Sequence, residues 1–181
     1  MSIYLVRHGQ DDEHVRGGWC NHGLIKEGIE QSENLGNKLL AITFDKIYSS
    51  TLNRAIETTN IIQRKLRTKN NVIYTDQLRE INNGLLSGMK HEVAEKKYPG
   101  LYYSSLEFDE KYPLGESPKE FYNRIDNFWS TEIIPQNKKN ILIVTHGGVI
   151  NIILHIFNDL IYSNKKMIFP IGTGTFVKIE L

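Results

Sequence analysis

Short, continuous apolar runs recur along this chain, separated by stretches with helical spacing, and that alternation narrows the fold more than any other feature. The runs are Ile3-Tyr4-Leu5-Val6, a weaker Lys46-Ile47-Tyr48, Val72-Ile73-Tyr74 and Ile141-Leu142-Ile143-Val144. Apolarity that is continuous rather than alternating suits parallel strands covered on both faces. Between the runs, residues 27–41 set Ile29, Leu35 and Leu39-Leu40 at near-helical spacing. Residues 51–67 do the same with Leu52, Ala55, Ile56, Thr59, Ile62 and Leu66. Ser117-Pro118-Lys119-Glu120 reads as an N-cap, a proline at the first helical position and a capping-box glutamate, opening a helix over 117–130. Residues 148–157 are almost wholly apolar and predict a buried helix, and residues 175–180 alternate as an edge strand does. Strands alternating with helices imply an α/β fold with a mostly parallel sheet.

Composition removes several function classes. A chain of 181 residues suits one domain. Lys+Arg is 22 against 21 Asp+Glu, a net charge of +1, which disfavours nucleic-acid binding by bulk charge. The single cysteine, Cys20, excludes a disulfide framework and a cysteine-rich zinc module and suits a reducing compartment. No stretch approaches the roughly 18 apolar residues of a membrane span. Met1-Ser2-Ile3-Tyr4-Leu5-Val6-Arg7 lacks the basic and long apolar regions of a signal peptide. The expectation is a cytoplasmic protein without nucleic-acid or membrane partners. Four of five prolines fall between Pro99 and Pro135, so the middle of the chain, about 81–113, is expected to be irregular.

In parallel sheets, ligands bind beyond the carboxyl ends of the strands. Arg7-His8-Gly9 follows the first run, Ser49-Ser50-Thr51-Leu52-Asn53-Arg54 the second, Leu78-Arg79-Glu80 the third and Thr145-His146-Gly147-Gly148 the fourth. Two histidines, two or three arginines and a glutamate would thus collect at one end of the sheet. Guanidinium groups bind phosphate in a planar, bidentate way. A helix opening at Gly147-Gly148 offers free N–H groups to an anion. A neutral histidine nitrogen can attack phosphorus, and a nearby carboxylic acid can protonate the leaving oxygen. The cations needed come from side chains, so no metal or cofactor is called for.

Leu5-Val6-Arg7-His8-Gly9 resembles the Arg-His-Gly signature of the histidine phosphatase superfamily, the phosphoglycerate-mutase-like fold. Ser49-Ser50-Thr51-Leu52-Asn53-Arg54-Ala55-Ile56-Glu57-Thr58 is similar to that family's Ser-Ser-x-x-x-Arg-Ala-x-x-Thr helix start. Leu78-Arg79-Glu80-Ile81, Gly115-Glu116-Ser117 with Arg124, and Val144-Thr145-His146-Gly147-Gly148 resemble further family segments, in the family's order. The resemblance implies a three-layer α-β-α sandwich with an antiparallel edge strand on the parallel sheet. It implies His8 as nucleophile, Arg7, Arg54 and His146 on the phosphate oxygens with Gly147 beside them, and Glu80 as acid then base. Many members continue Arg-His-Gly-Glu-Ser/Thr-x-x-Asn, where this chain has Gln10, Asp11 and His14. His14 stands where the family's Asn touches phosphate and is assigned that contact. The glycerate mutases follow the catalytic Glu with Arg-His-Tyr-Gly; here Glu80 precedes Ile81-Asn82-Asn83-Gly84, without a cationic grip. The reading is a phosphomonoesterase acting on a small phosphate ester. A mutase and a non-catalytic phosphate-binding module are the alternatives.

Other groups have plainer readings. His155 lies on an apolar helix as a satisfied core histidine, and His91 reads as surface. His22 is balanced between site rim and loop. Cys20 reads as an incidental thiol, and Gly172-Thr173-Gly174-Thr175 as a turn. A metal site at His8, His14 and His22 lacks any supporting ligand spacing. Tyr98, Tyr102, Tyr103, Phe108 and Tyr112 crowd into fifteen residues. They are expected to overhang the catalytic end and shape a leaving-group pocket. Small-helix packing or a homodimer contact is the alternative.

Overall fold

A computed structural model describes residues 1–66, 71–136 and 139–181. Its sheet has five strands: β1 (Ser2–Arg7), β2 (Lys46–Ser50), β3 (Val72–Thr75), β4 (Asn140–Thr145) and β5 (Phe176–Glu180). The spatial order is β3-β2-β4-β1-β5, parallel throughout except for β5, which runs antiparallel to β1. The long helices are α1 (Lys26–Leu39), α2 (Asn53–Lys65), α4 (Pro118–Phe128) and α5 (Gly147–Phe157), and the shorter α3 spans His91–Lys97.

Side chains alternate across the sheet, and the core divides accordingly. Ile3, Leu5, Tyr48, Ile141 and Ile143 face Phe121, Ile125 and Phe128 of α4 and Val149, Ile150 and Ile153 of α5. Tyr4, Val6, Ile47, Leu142 and Val144 face Leu35 and Leu39 of α1 and Ala55 and Ile62 of α2. Both faces of β1 and β4 are covered, which is why their sequences are continuously apolar. The result is a three-layer α-β-α sandwich.

The Ser117 side chain accepts from the Glu120 N–H at 3.1 Å while Glu120 reaches back to the Ser117 N–H, so the expected capping box opens α4. Past Phe128 the helix widens into a π turn, Trp129–Ile133. Residue 67, the last of the helix expected over 51–67, lies outside the described residues. β3 corrects one expectation. Ile73 and Tyr74 are each 42% exposed, because β3 has a neighbour on one side only. The helix α3 carried no readable signal: it has seven residues and buries only Ala94.

Parallel register brings the carboxyl ends together. Arg7 lies opposite Thr145, Ser49 opposite Val144 and Ser50 opposite Thr75. The strand-exit residues therefore emerge at one end of the sheet.

Candidate active site

The His8 backbone N–H donates to the Thr145 carbonyl at 3.0 Å, continuing the β1–β4 ladder one residue past the strand. The chain then turns tightly against α1. A Cβ at Gly9 would stand 2.2 Å from the Gly28 carbonyl oxygen, so only glycine permits this approach. The Gly9 N–H donates to Thr58 Oγ1 at 3.0 Å, which ties the turn to α2.

His8 is 4% exposed. Its Nδ1 lies 2.7 Å from the Gly9 carbonyl, which can only accept, so Nδ1 carries the proton. Its Nε2 accepts from Arg54 Nε at 3.2 Å, so that nitrogen keeps its lone pair. Burial, then the Arg54 charge, holds His8 well below the usual histidine range despite the opposing Gly9 hydrogen bond. The ring is neutral, in one tautomer, with an unprotonated nitrogen at the site.

His146, fully buried, lies with its ring centroid 5.0 Å from that of His8. Its Nε2 is 2.8 Å from Ser50 Oγ, and its Nδ1 has no partner among the described residues. Burial first, then the Arg54 charge, keeps it neutral as well.

Arg54 is 2% exposed and occupies the first turn of α2. Its Nη1 and Nη2 donate to the Cys20 and Gly18 carbonyls, each at 2.8 Å. Arg7 Nη1 donates to the Ile171 carbonyl at 2.7 Å, and its guanidinium borders Gly147. Buried Arg7 Nε has no partner among the described residues. Asp11, which sequence reasoning left without a role, reaches to 3.4 Å from Arg54 Nε. Burial raises its pKa even against the pull of Arg54.

Glu80 follows the short 3-10 turn Asp76–Leu78 after β3. Its Oε2 accepts from the Gly148 N–H and its Oε1 from the Ile81 N–H, both at 3.0 Å. A Cβ at Gly148 would stand 2.3 Å from Glu80 Oε1, so the second glycine of Gly147-Gly148 makes room for the carboxylate. The backbone around Glu80 is clamped. Arg124 pairs bidentately with Glu116, both contacts at 2.9 Å, and donates to the Gln77, Arg79 and Glu80 carbonyls. Glu116 also accepts from the Asn82 N–H at 2.9 Å.

Arg7, His8, Arg54, His146, Gly147 and Glu80 are thus brought to one end of the sheet. His14 is not brought among them. It is exposed and lines a surface depression with Glu13, Lys90 and His91. Ser50 and Thr58, now partners of His146 and Gly9, were present in the motif from Ser49 to Thr58 but carried no separate signal.

Residues 3–180 match the model of the histidine phosphatase superfamily, branch 1. The chain belongs to the histidine phosphatase superfamily. Within it, the chain is 31% identical over 162 residues to a probable phosphatase of Schizosaccharomyces pombe, covering 84% of this chain and 71% of that protein. It is 29% identical over 190 residues to a 2,3-bisphosphoglycerate-dependent phosphoglycerate mutase of Parvibaculum lavamentivorans, covering 99% and 90%. The crystal structure of the α-ribazole phosphatase of Shigella flexneri superposes with a TM-score of 0.86 at 25% identity, covering all of this chain and 91% of that one. These histidine phosphatase relatives fit a chain that hydrolyses phosphomonoesters by histidine chemistry.

A cavity of about 480 Å³ opens beside the carboxylate. Glu80 and Gly148 border it together with Tyr102, Tyr103, Tyr112 and Tyr162. Tyr103 and Tyr162 meet hydroxyl to hydroxyl at 2.5 Å, joining the aromatic segment to the chain after α5. Asn164 Nδ2 reinforces this by donating to the Tyr103 and Leu106 carbonyls at 2.7 and 2.9 Å. Arg16 and Tyr162 line the cavity too, and sequence reasoning passed over both. Nothing local marks either residue, since each reaches the cavity from a loop. No helix among the described residues is long and apolar enough to cross a membrane.

Proposed function

We propose that His8 Nε2 attacks the phosphorus of a small phosphate monoester while Glu80, protonated, gives its proton to the leaving oxygen. The P–O bond to the leaving group breaks as the P–N bond forms, yielding phospho-His8 and an alcohol. Water then attacks phosphorus, Glu80 takes a proton from it, the P–N bond breaks and inorganic phosphate departs. Arg7 and Arg54, with His146, supply hydrogen-bond donors where charge develops on the phosphoryl oxygens. The observation that carries this reading is the tautomer of His8: Nδ1–H on the Gly9 carbonyl and an unprotonated Nε2 beside the Arg54 guanidinium.

Arg54 donates to Nε2 in the absence of substrate, and incoming phosphoryl oxygens would take over that donor and free the lone pair. The positive charge comes from side chains, so the reaction is written without a metal, and a chelator should leave the rate unchanged. The segment bearing Tyr102 and Tyr103 serves as a wall over the leaving group. A cytoplasmic location completes the reading.

Rapid quench with a ³²P-labelled ester should trap acid-labile, base-stable phosphate on the wild type and none on His8→Ala. Full turnover by His8→Ala would overturn the mechanism. The similarity to glycerate mutases supports a second reading, phosphate transfer between positions of one substrate. It predicts an isomeric phosphate ester, not inorganic phosphate, as the main product of the same incubation.

A further inference from the structure

Arg16 is 9% exposed, and no carboxylate among the described residues lies within ion-pair distance of it. Its guanidinium has five N–H donors. One makes a long 3.4 Å contact to the Leu101 carbonyl, and buried Nε has no partner among the described residues. The group instead lies over the Tyr102 ring, its Cζ 3.9 Å from the ring centroid. The nearby Glu95 is spent elsewhere: it is exposed and accepts from the Tyr102 hydroxyl at 2.8 Å. Glu95 feels the Arg16 charge, but no carboxylate among the described residues pairs with the guanidinium directly, and a largely buried cation gains from such a partner.

Its position is fixed. The Arg16 N–H donates to the Met89 carbonyl and the Arg16 carbonyl accepts from the Gly88 N–H, each at 2.8 Å. The side chain lines the cavity beside Glu80, whose charged border is Arg16, Lys165 and Lys166 against Glu80 alone. Lys165 is already paired with Glu107 at 2.9 Å. His8, Arg7 and Arg54 do not line this cavity. The cavity therefore meets the proposed site at Glu80, the donor to the leaving oxygen, and not at the side chains assigned to the phosphate.

We propose that Arg16, stacked on Tyr102, binds an oxyanion carried by the leaving group, so that the preferred substrates are phosphate monoesters bearing a second anionic group, carboxylate or phosphate. A planar guanidinium grips either anion bidentately, and the stacked phenol ring keeps the fork in place. This assignment rests on the phosphatase reading above, since it names the leaving group of that reaction.

The test compares kcat/KM for three aryl phosphates carrying carboxamide, carboxylate or phosphate at the para position. The wild type should prefer an anionic ester over the amide at least tenfold, and the anion that gains more identifies which of the two the site takes. In Arg16→Gln that ratio should fall to about one, while Arg16→Lys should keep part of it. A merely structural role for Arg16 would lower all three rates together and leave the ratio intact, which overturns the proposal. Equal rates of the wild type on amide and carboxylate esters overturn it too and leave the phosphatase reading standing. If the wild type hydrolyses none of them, the phosphatase reading fails, and calorimetry still decides the subsite. Tighter binding of 4-hydroxybenzoate than of 4-hydroxybenzamide, lost in Arg16→Gln, supports it; equal binding overturns it.

Discussion

At the scale of single residues, two features of the site lend themselves to direct tests. Gly148→Ala would place a Cβ 2.3 Å from Glu80 Oε1, the free end of a flexible side chain. The fold should survive and the carboxylate should swing away. Because a positioned acid contributes about 10²–10⁴ in rate, kcat should fall about a hundredfold while the melting temperature changes little. His8 and His146 are both buried, with pKa values held down by burial and by Arg54. Below about pH 6.5 the unfolded chain takes up protons at these positions and the native protein does not. The stability of their neutral forms is therefore intact above that pH and is lost as pH falls toward the folded-state values. The loss should approach about 1.4 kcal/mol per pH unit for each histidine. Thermal melts between pH 7.5 and 5.5 should show this slope, and His146→Gln should reduce it by about half.

At the scale of elements, α4 is the clearest case of a helix set by its own residues. Ser117→Ala removes the side chain that accepts the Glu120 N–H. Loss of such a cap costs about 1 kcal/mol, measurable by urea unfolding. The same helix carries Arg124, whose bonds to Glu116 and to the Gln77, Arg79 and Glu80 carbonyls hold the segment that presents Glu80. Lysine lacks the planar fork. Arg124→Lys should therefore depress kcat more than tenfold for alkyl phosphates, whose poor leaving groups need the acid, and less for aryl phosphates. Equal losses on both would mean that the clamp does not act through Glu80. The long helices and the inner strands were readable because each has a period, a cap or a continuous apolar run within its own sequence. The helix α3 was not, because seven residues with one buried side chain leave no periodic stripe.

At the scale of the whole molecule, the sheet order decides what each strand can tolerate. Ile143 on β4 is fully buried between two layers, whereas Ile73 on β3 is 42% exposed at the edge. The two read alike as members of short apolar runs. Ile143→Ala should cost 2–5 kcal/mol, as large-to-small changes in a packed core do, roughly. Ile73→Ala should stay within about 0.5–1 kcal/mol. Chemical denaturation of both variants checks the pair, and similar losses would contradict the edge placement of β3.

The sequence alone determined the layers and the chemistry at their ends. Continuous apolar runs require cover on both faces, and parallel strands require their exits to share one end, so Arg7, His8, Arg54, Glu80 and His146 group together on residue order alone. What only the tertiary structure decided depends on approach between segments far apart in the chain. It set the proton of His8 on Nδ1 through the Gly9 carbonyl and turned the Arg54 guanidinium onto its Nε2. It left His14 at the surface, although its spacing from His8 had suggested a phosphate contact. It also set a largely buried Arg16 on the cavity beside Glu80, without a direct ion pair among the described residues, supplying a cation that the residues following Glu80 lack. Residue type and spacing carry local physics, but burial and the absence of a partner are properties of the folded neighbourhood.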